Sequence, residues 1–167
     1  EPWSTNFDLY LATVDGAEAP LNLTAANPAT DAGPVYSPDG RTLYYRAMKR
    51  PGFEADRFQI RALDLASRNA RDIAADWDRS PEGLVVAPDG RTLYTTAADL
   101  GAGSLFAVDV ASGKRTRLDN RGTVAGVTAG RDTIVYGRDD LKSTAQLYRL
   151  SPRGGEPVAL TRFNAAR

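Results

Sequence analysis

One turn occurs twice in this chain. Ser37-Pro38-Asp39-Gly40-Arg41-Thr42-Leu43-Tyr44-Tyr45 returns fifty residues later as Ala87-Pro88-Asp89-Gly90-Arg91-Thr92-Leu93-Tyr94-Thr95. Proline presets φ, aspartate bonds the backbone beyond itself, and glycine takes φ > 0 without a Cβ clash. Pro-Asp-Gly between apolar runs is therefore a hairpin turn. Beyond it the residues alternate, Leu43 and Tyr45 toward one face and Thr42 and Tyr44 toward the other. That pattern predicts a hairpin whose second strand is half-buried. A hairpin that recurs raises the question of whether the whole chain repeats.

Landmarks along the chain answer it. Gly40-Arg41, Gly90-Arg91 and Gly130-Arg131 are spaced 50 and 40 residues apart. Asp15, Asp64, Asp109 and Ser151 hold one place in the repeat, and Leu23, Ile73, Leu118 and Leu160 follow each by eight or nine residues. Pro20-Leu21-Asn22-Leu23-Thr24 is echoed by Pro157-Val158-Ala159-Leu160-Thr161. Strands are expected at 8–14, 20–24, 34–36, 42–47, 57–63, 70–74, 84–87, 92–97, 104–110, 115–118, 123–127, 133–136, 146–150 and 157–161. Loops are expected at 25–33, 48–56, 77–83 and 98–103. No stretch sustains a 3.6-residue period.

Four short strands per roughly 40–50 residues is the period of a β-propeller blade. The expected fold is all-β, an arc of four-stranded antiparallel blades in one partial domain over 1–167. A half blade at 8–24 supplies two outer strands, and full blades follow at 33–74, 83–118 and 123–161. Propellers close with roughly 4–8 blades, so this count makes an incomplete ring. Its open strand edges are expected to invite self-association.

Composition then removes several chemistries. The chain contains no cysteine and no histidine. Disulfides, thiolate or imidazole metal sites and a Ser-His-Asp triad cannot be built from these residues. No catalytic residue, cofactor or metal is expected. Twenty-one basic residues balance twenty-one acidic ones with no basic tract, so neither nucleic acid nor an anionic membrane is an expected partner. No run approaches the roughly 18 apolar residues of a membrane span, and no leader is read at Glu1-Pro2-Trp3. Asp39, Asp64, Asp89 and Asp109 fall in different blades, which suits turn roles and not a calcium cage. The recurring aromatics Tyr44, Tyr45, Tyr94, Phe106, Tyr136 and Tyr148 are expected to pack between blades.

Three motifs resemble the propeller of the prolyl oligopeptidase family of serine peptidases, in its dipeptidyl-peptidase and acylaminoacyl-peptidase-like branch. The first is the repeat Val35-Tyr36-Ser37-Pro38-Asp39-Gly40-Arg41-Thr42-Leu43-Tyr44-Tyr45, shared with TolB-like propellers. The second is Arg50-Pro51-Gly52-Phe53-Glu54-Ala55-Asp56-Arg57. The third is Trp77-Asp78-Arg79-Ser80-Pro81 with Thr96-Ala97-Ala98-Asp99-Leu100-Gly101-Ala102-Gly103-Ser104-Leu105-Phe106. The resemblance covers nearly the whole chain. It implies a propeller that gates short peptides to a C-terminal α/β-hydrolase domain of the parent enzyme and docks that domain. The hydrolase domain itself is absent here: there is no His and no G-x-S-x-G elbow, and Gly101-Ala102-Gly103-Ser104 lacks the elbow spacing. The alternative is a TolB-like periplasmic propeller that binds partner proteins. Enzymes of this kind are both exported and cytosolic, with a periplasmic or secreted place favoured over the cytoplasm.

The connection 48–56 draws attention because loops on a rigid scaffold carry function. Glu54 or Asp56 could meet the ammonium end of a peptide, and Arg50 or Arg57 could dock the hydrolase domain. The plainer reading is an internal Arg–carboxylate network that shapes the loop. Trp77 reads as an inter-blade packing group more than as a ligand platform.

Overall fold

A computed structural model describes residues 4–163. Glu1-Pro2-Trp3 and the last four positions of the 162–167 tail lie outside the described residues. Among the described residues there is no helix, and fourteen strands form an open arc of antiparallel sheets. Strands β1 (Tyr10–Leu11) and β2 (Leu21–Asn22) pair with each other. β3 (Asp31–Tyr36), β4 (Thr42–Ala47), β5 (Gln59–Asp64) and β6 (Ala70–Ile73) make the next, four-stranded meander. A second meander comprises β7 (Val85–Val86), β8 (Thr92–Asp99), β9 (Ala102–Asp109) and β10 (Arg115–Asp119). A third comprises β11 (Thr123–Ala129), β12 (Ile134–Asp140), β13 (Ser143–Leu150) and β14 (Val158–Ala159). The molecule is thus a propeller arc of three full blades and half of another.

The second and third blades touch through one parallel register pair, Thr123 with Gly103. A Cβ on Gly103 would lie 2.9 Å from Thr123 Cγ2 and 3.3 Å from its Cα. Glycine is what allows the backbones this close.

The hairpin strand after the first Pro-Asp-Gly is not half-buried as its alternation predicts. Leu43, Tyr44 and Tyr45 are all buried. Stacked blades cover both faces of a sheet. Tyr44, Ile60 and Ile73 pack toward the second blade against Trp77, Leu84, Leu93 and Phe106. Leu43, Tyr45 and Leu63 pack the other way, against Leu9 of the half blade. A further cluster joins Tyr94 and Leu105 to Val124, Ile134, Tyr136 and Leu150 across the next junction. Each such side chain stabilises by about 1.5–3 kcal/mol.

Several boundaries shift for local reasons. The first expected strand, 8–14, shortens to Tyr10–Leu11 because only β2 is beside it to accept pairing. β3 begins at Asp31, inside an expected loop, with its register irregular between Ala32 and Val35 and Gly33 at φ 63°. The expected loop 98–103 is a tight hairpin. Asp99 pairs with Ala102, and Leu100 (φ 51°) and Gly101 (φ 84°) form the turn. Two positive φ angles in succession are those of a type I′ turn, whose twist matches antiparallel strands. Gly130 shares its sequence neighbour with Gly40 and Gly90 but not their left-handed backbone. Six residues separate the pairs Tyr36–Leu43 and Val86–Leu93, and only four separate Ala129–Ile134.

Candidate functional site

Antiparallel pairing puts the Pro-Asp-Gly turns on one face of the arc and the second-to-third strand connections on the other. On that second face the three blades differ. Asp99 pairs with Ala102 and Asp140 with Ser143, so two residues suffice to cross in the second and third blades. In the first blade the last pair is Ala47 with Gln59, and residues 48–58 make the crossing.

The sequence folds this excursion in two turns. Phe53 N donates to the Arg50 carbonyl at 3.3 Å, with Pro51 and Gly52 (φ 70°) between them. Proline at the second position and a left-handed glycine at the third define a type II turn. Asp56 N then donates to the Phe53 carbonyl at 3.0 Å. The neck is closed by Asp56, whose Oδ2 accepts from Lys49 N and Arg50 N at 2.8 Å each. Partial burial works against the Asp56 charge, but backbone N–H donors from Lys49, Arg50 and Arg57 outweigh it and hold the carboxyl below its ordinary range.

The four expected site residues therefore divide. Asp56 shapes the loop. Arg57 ties it to the next blade by donating from Nη1 to the Trp77 carbonyl. Arg50 lies with its guanidinium 3.9 Å above the Phe53 ring, a cation–π contact at the exposed tip. Glu54 is exposed and has no hydrogen-bond or ion-pair partner among the described residues. Arg50 and Glu54 thus lie exposed at the tip, while Asp56 shapes the loop and Arg57 anchors it to the Trp77 carbonyl.

Sequence reasoning missed the residues under the loop. Arg46 is half-buried between the Phe58 ring, 4.8 Å away, and the Pro81 carbonyl, 3.3 Å from Nη1. Burial lowers its pKa against the opposing pull of Glu82. Glu82 Oε2 accepts from Thr96 Oγ1 at 3.1 Å, and Phe58 N donates to Ser80 Oγ at 3.1 Å. An arginine within a strand of otherwise buried residues was the available signal.

Asn27 roots the loop's entry. Its Nδ2 donates to the Met48 carbonyl at 3.1 Å and to Asp31 Oδ1 at 2.9 Å. Asp31 is 2% exposed, and its Oδ2 has no partner. Burial pushes its carboxyl up to about 6 against the opposing pull of the Asn27 and Thr24 side chains.

The two halves of the third motif, about twenty residues apart, meet in space. Arg79 Nε lies 3.1 Å from Asp99 Oδ1, and Arg117 Nη1 lies 2.8 Å from Asp99 Oδ2. The Arg117 hydrogen bond, and then that of Arg79, keep the Asp99 carboxyl low. Trp77 meets Phe106 edge-on, 5.0 Å between centroids. The motif clasps the loop entering the second blade onto that blade's own strands β8 and β10, and Trp77 is a packing group. Ser104 is fully buried, with its Oγ unpartnered inside the sheet. It offers no nucleophile to solvent.

Comparison with known proteins places this architecture. No family model matches the sequence. Over 108 residues, 61% of this chain, it is 37% identical to the probable dipeptidyl-peptidase 5 of Emericella nidulans, covering 15% of that protein. Over 164 residues, 98% of this chain, it is 26% identical to the dipeptidyl-peptidase 5 of Porphyromonas gingivalis, covering 24% of it. These relatives support the resemblance to the propeller portion of a prolyl oligopeptidase-type peptidase. The chain spans a quarter or less of the length of these curated relatives. The propeller fold itself is shared more widely. TolB from Acinetobacter baumannii superposes with a TM-score of 0.73 at 20% identity, over 96% of this chain and 39% of that one. The first blade thus presents a long, charged second-to-third strand connection where the other two blades keep two-residue turns.

Proposed function

We propose that this segment gates short peptides to a serine hydrolase domain elsewhere in its parent polypeptide and helps to dock that domain. The carrying observation is the 48–58 connection. It is far longer than crossing to β5 requires; Asp56 closes its neck and Arg57 anchors it to the Trp77 carbonyl, while Glu54 at the tip has no partner among the described residues. In this reading Glu54 pairs with the ammonium group of a peptide. Arg50, held flat on Phe53, contributes a preorganised guanidinium to the facing domain. The likeness to dipeptidyl-peptidases supports this reading. The likeness to TolB, at 20% identity, supports a shared fold only.

The test is Glu54→Ala and Glu54→Gln in the full-length enzyme. A charge pair at the rim of a partly desolvated site predicts a roughly tenfold or greater loss of kcat/KM on free-amine dipeptidyl substrates. N-acylated substrates should lose much less. Equal kcat/KM in variant and parent removes Glu54 from recognition.

A further inference from the structure

The opposite face carries a second cleft, and it arises where the repeat weakens. At the junction of the first two blades that space is filled. Pro38 of the first Pro-Asp-Gly turn sits against Gly90 of the second, so that a Cβ on Gly90 would meet Pro38 Cδ at 3.3 Å. Arg71 spans the same junction and donates from Nη2 to the Val110 carbonyl at 2.9 Å. At the next junction Pro88 stands in the place of Pro38, but the turn opposite it is shortened and the spanning arginine is gone. The connection after β11 is two residues shorter and lacks the Pro-Asp arm. Register also shows what replaces the arginine. Tyr44–Ala62–Arg71 in the first blade corresponds to Tyr94–Ala107–Thr116 in the second. A threonine cannot reach across.

The result is a cleft of about 770 Å³ between the second and third blades, lined by Pro88, Asp89, Tyr94, Arg131, Asp132 and Arg153 among others. Tyr94 is 2% exposed, with its ring in the inter-blade core. Its hydroxyl has no hydrogen-bond partner among the described residues, although the side chain lines the cleft. The guanidinium groups of Arg131 and Arg153 and the carboxylate of Asp132 likewise have no partner among the described residues. Asp89 spends one oxygen on Arg91 N at 2.9 Å. Unspent charges of both signs, a hydroxyl donor on a packed ring and apolar walls are a recognisable combination. They suit a small ligand that carries both a carboxylate and an ammonium group.

We propose that this cleft binds a short zwitterionic peptide of about two residues. Its carboxylate lies between Arg131 and Arg153 with Tyr94 as a further donor, and its ammonium group faces Asp132. The site is on the face away from the 48–58 connection and is independent of the function proposed for that connection.

The experiment is a titration of this chain, followed by calorimetry and NMR, with alanyl-alanine, its N-acetyl form, its C-terminal amide and inorganic phosphate. The free dipeptide is expected to bind in the millimolar range or tighter. Arg131→Ala with Arg153→Ala, or amidation of the carboxylate, should weaken it by about tenfold or more. Acetylation and Asp132→Asn should each weaken it by a smaller factor. Tyr94→Phe preserves the packed ring and is expected to weaken binding by about fivefold with an unchanged melting curve. No binding at about 10 mM, or binding unchanged in the folded double-arginine variant, overturns the proposal. Phosphate binding as tightly as the dipeptide also overturns it, since the site then selects anions and not peptides.

Discussion

The long connection 48–58 and the two-residue turns at Leu100-Gly101 and Leu141-Lys142 share one face, and a buried aspartate stands beneath each region in opposite condition. Under the short turns, Asp119 joins the second blade to the third. It accepts from Tyr136 Oη at 2.6 Å, Arg138 Nη1 at 2.7 Å, and Arg121 Nε and N at 3.1 Å each. Burial opposes its charge, but these donors outweigh it and hold the carboxyl below its ordinary range. Under the long connection, Asp31 accepts from Asn27, keeps one oxygen without a partner, and titrates near 6. The difference teaches where this arc is rigid and where it can respond. The short turns stand on a satisfied network. The long connection is rooted, through Asn27 and Met48, in a carboxyl that is only half satisfied.

The largest expected effect breaks the satisfied side. Asp119→Ala leaves Arg138 and the Tyr136 hydroxyl without their acceptor, and is expected to cost about 3–5 kcal/mol in urea unfolding. A loss below about 1 kcal/mol would show that the network is not the rigid base described here.

Next comes the other aspartate. Because the folded Asp31 pKa lies above the unfolded 3.8, the folded state holds the extra proton between the two values. Its contribution is fully present below about pH 3.8 and is lost as pH rises through about 6. Asp31→Asn should therefore gain up to about 3 kcal/mol over wild type at pH 7, with little difference near pH 4. The same pH slope for both proteins across that window would contradict the account.

A smaller effect sharpens the contrast between the connections. Leu100 holds φ 51°, where a branched apolar side chain is strained and asparagine is favoured. Leu100→Asn should raise stability by about 1 kcal/mol, measured as the midpoint shift in urea. A decrease would mean that the exposed leucine is held by contacts this structure does not contain. Smallest in global stability is Asp56→Ala. It should open the loop neck, seen as faster proteolysis at 50–55, while the urea midpoint barely moves. Unchanged proteolysis would show that the two backbone bonds to Asp56 do not hold the loop.

What was legible in the sequence was local chemistry. Pro-Asp-Gly turns declare themselves in a few residues, aspartates such as Asp64 and Asp109 suit turn roles, and the spacing of these landmarks yields the propeller period. Ser67 and Ser112 do bond Asp64 and Asp109 in this way, at 2.8 and 2.6 Å between side chains. Burial on both faces was not legible, because alternation within one strand cannot report that a second blade covers the polar-looking side. The hairpin at Leu100 was hidden by a residue that rarely takes positive φ. In the candidate site, the 48–56 stretch stood out by length and charge. The division between inward Asp56 and Arg57 and outward Arg50 and Glu54 needed the turn geometry. Arg46 and Glu82 escaped notice because their significance exists only once two blades pack.

The central proposal is that Glu54, at the tip of the 48–58 connection, serves recognition and not the fold. The most direct measurement is kcat/KM of the full-length Glu54→Ala enzyme on a free-amine dipeptidyl substrate and on its N-acylated counterpart. The account predicts a loss of about tenfold or more on the free amine, with the acylated substrate and the melting temperature nearly unchanged. A kcat/KM on the free-amine substrate unchanged from the parent enzyme, in a variant that folds as the parent does, would contradict it.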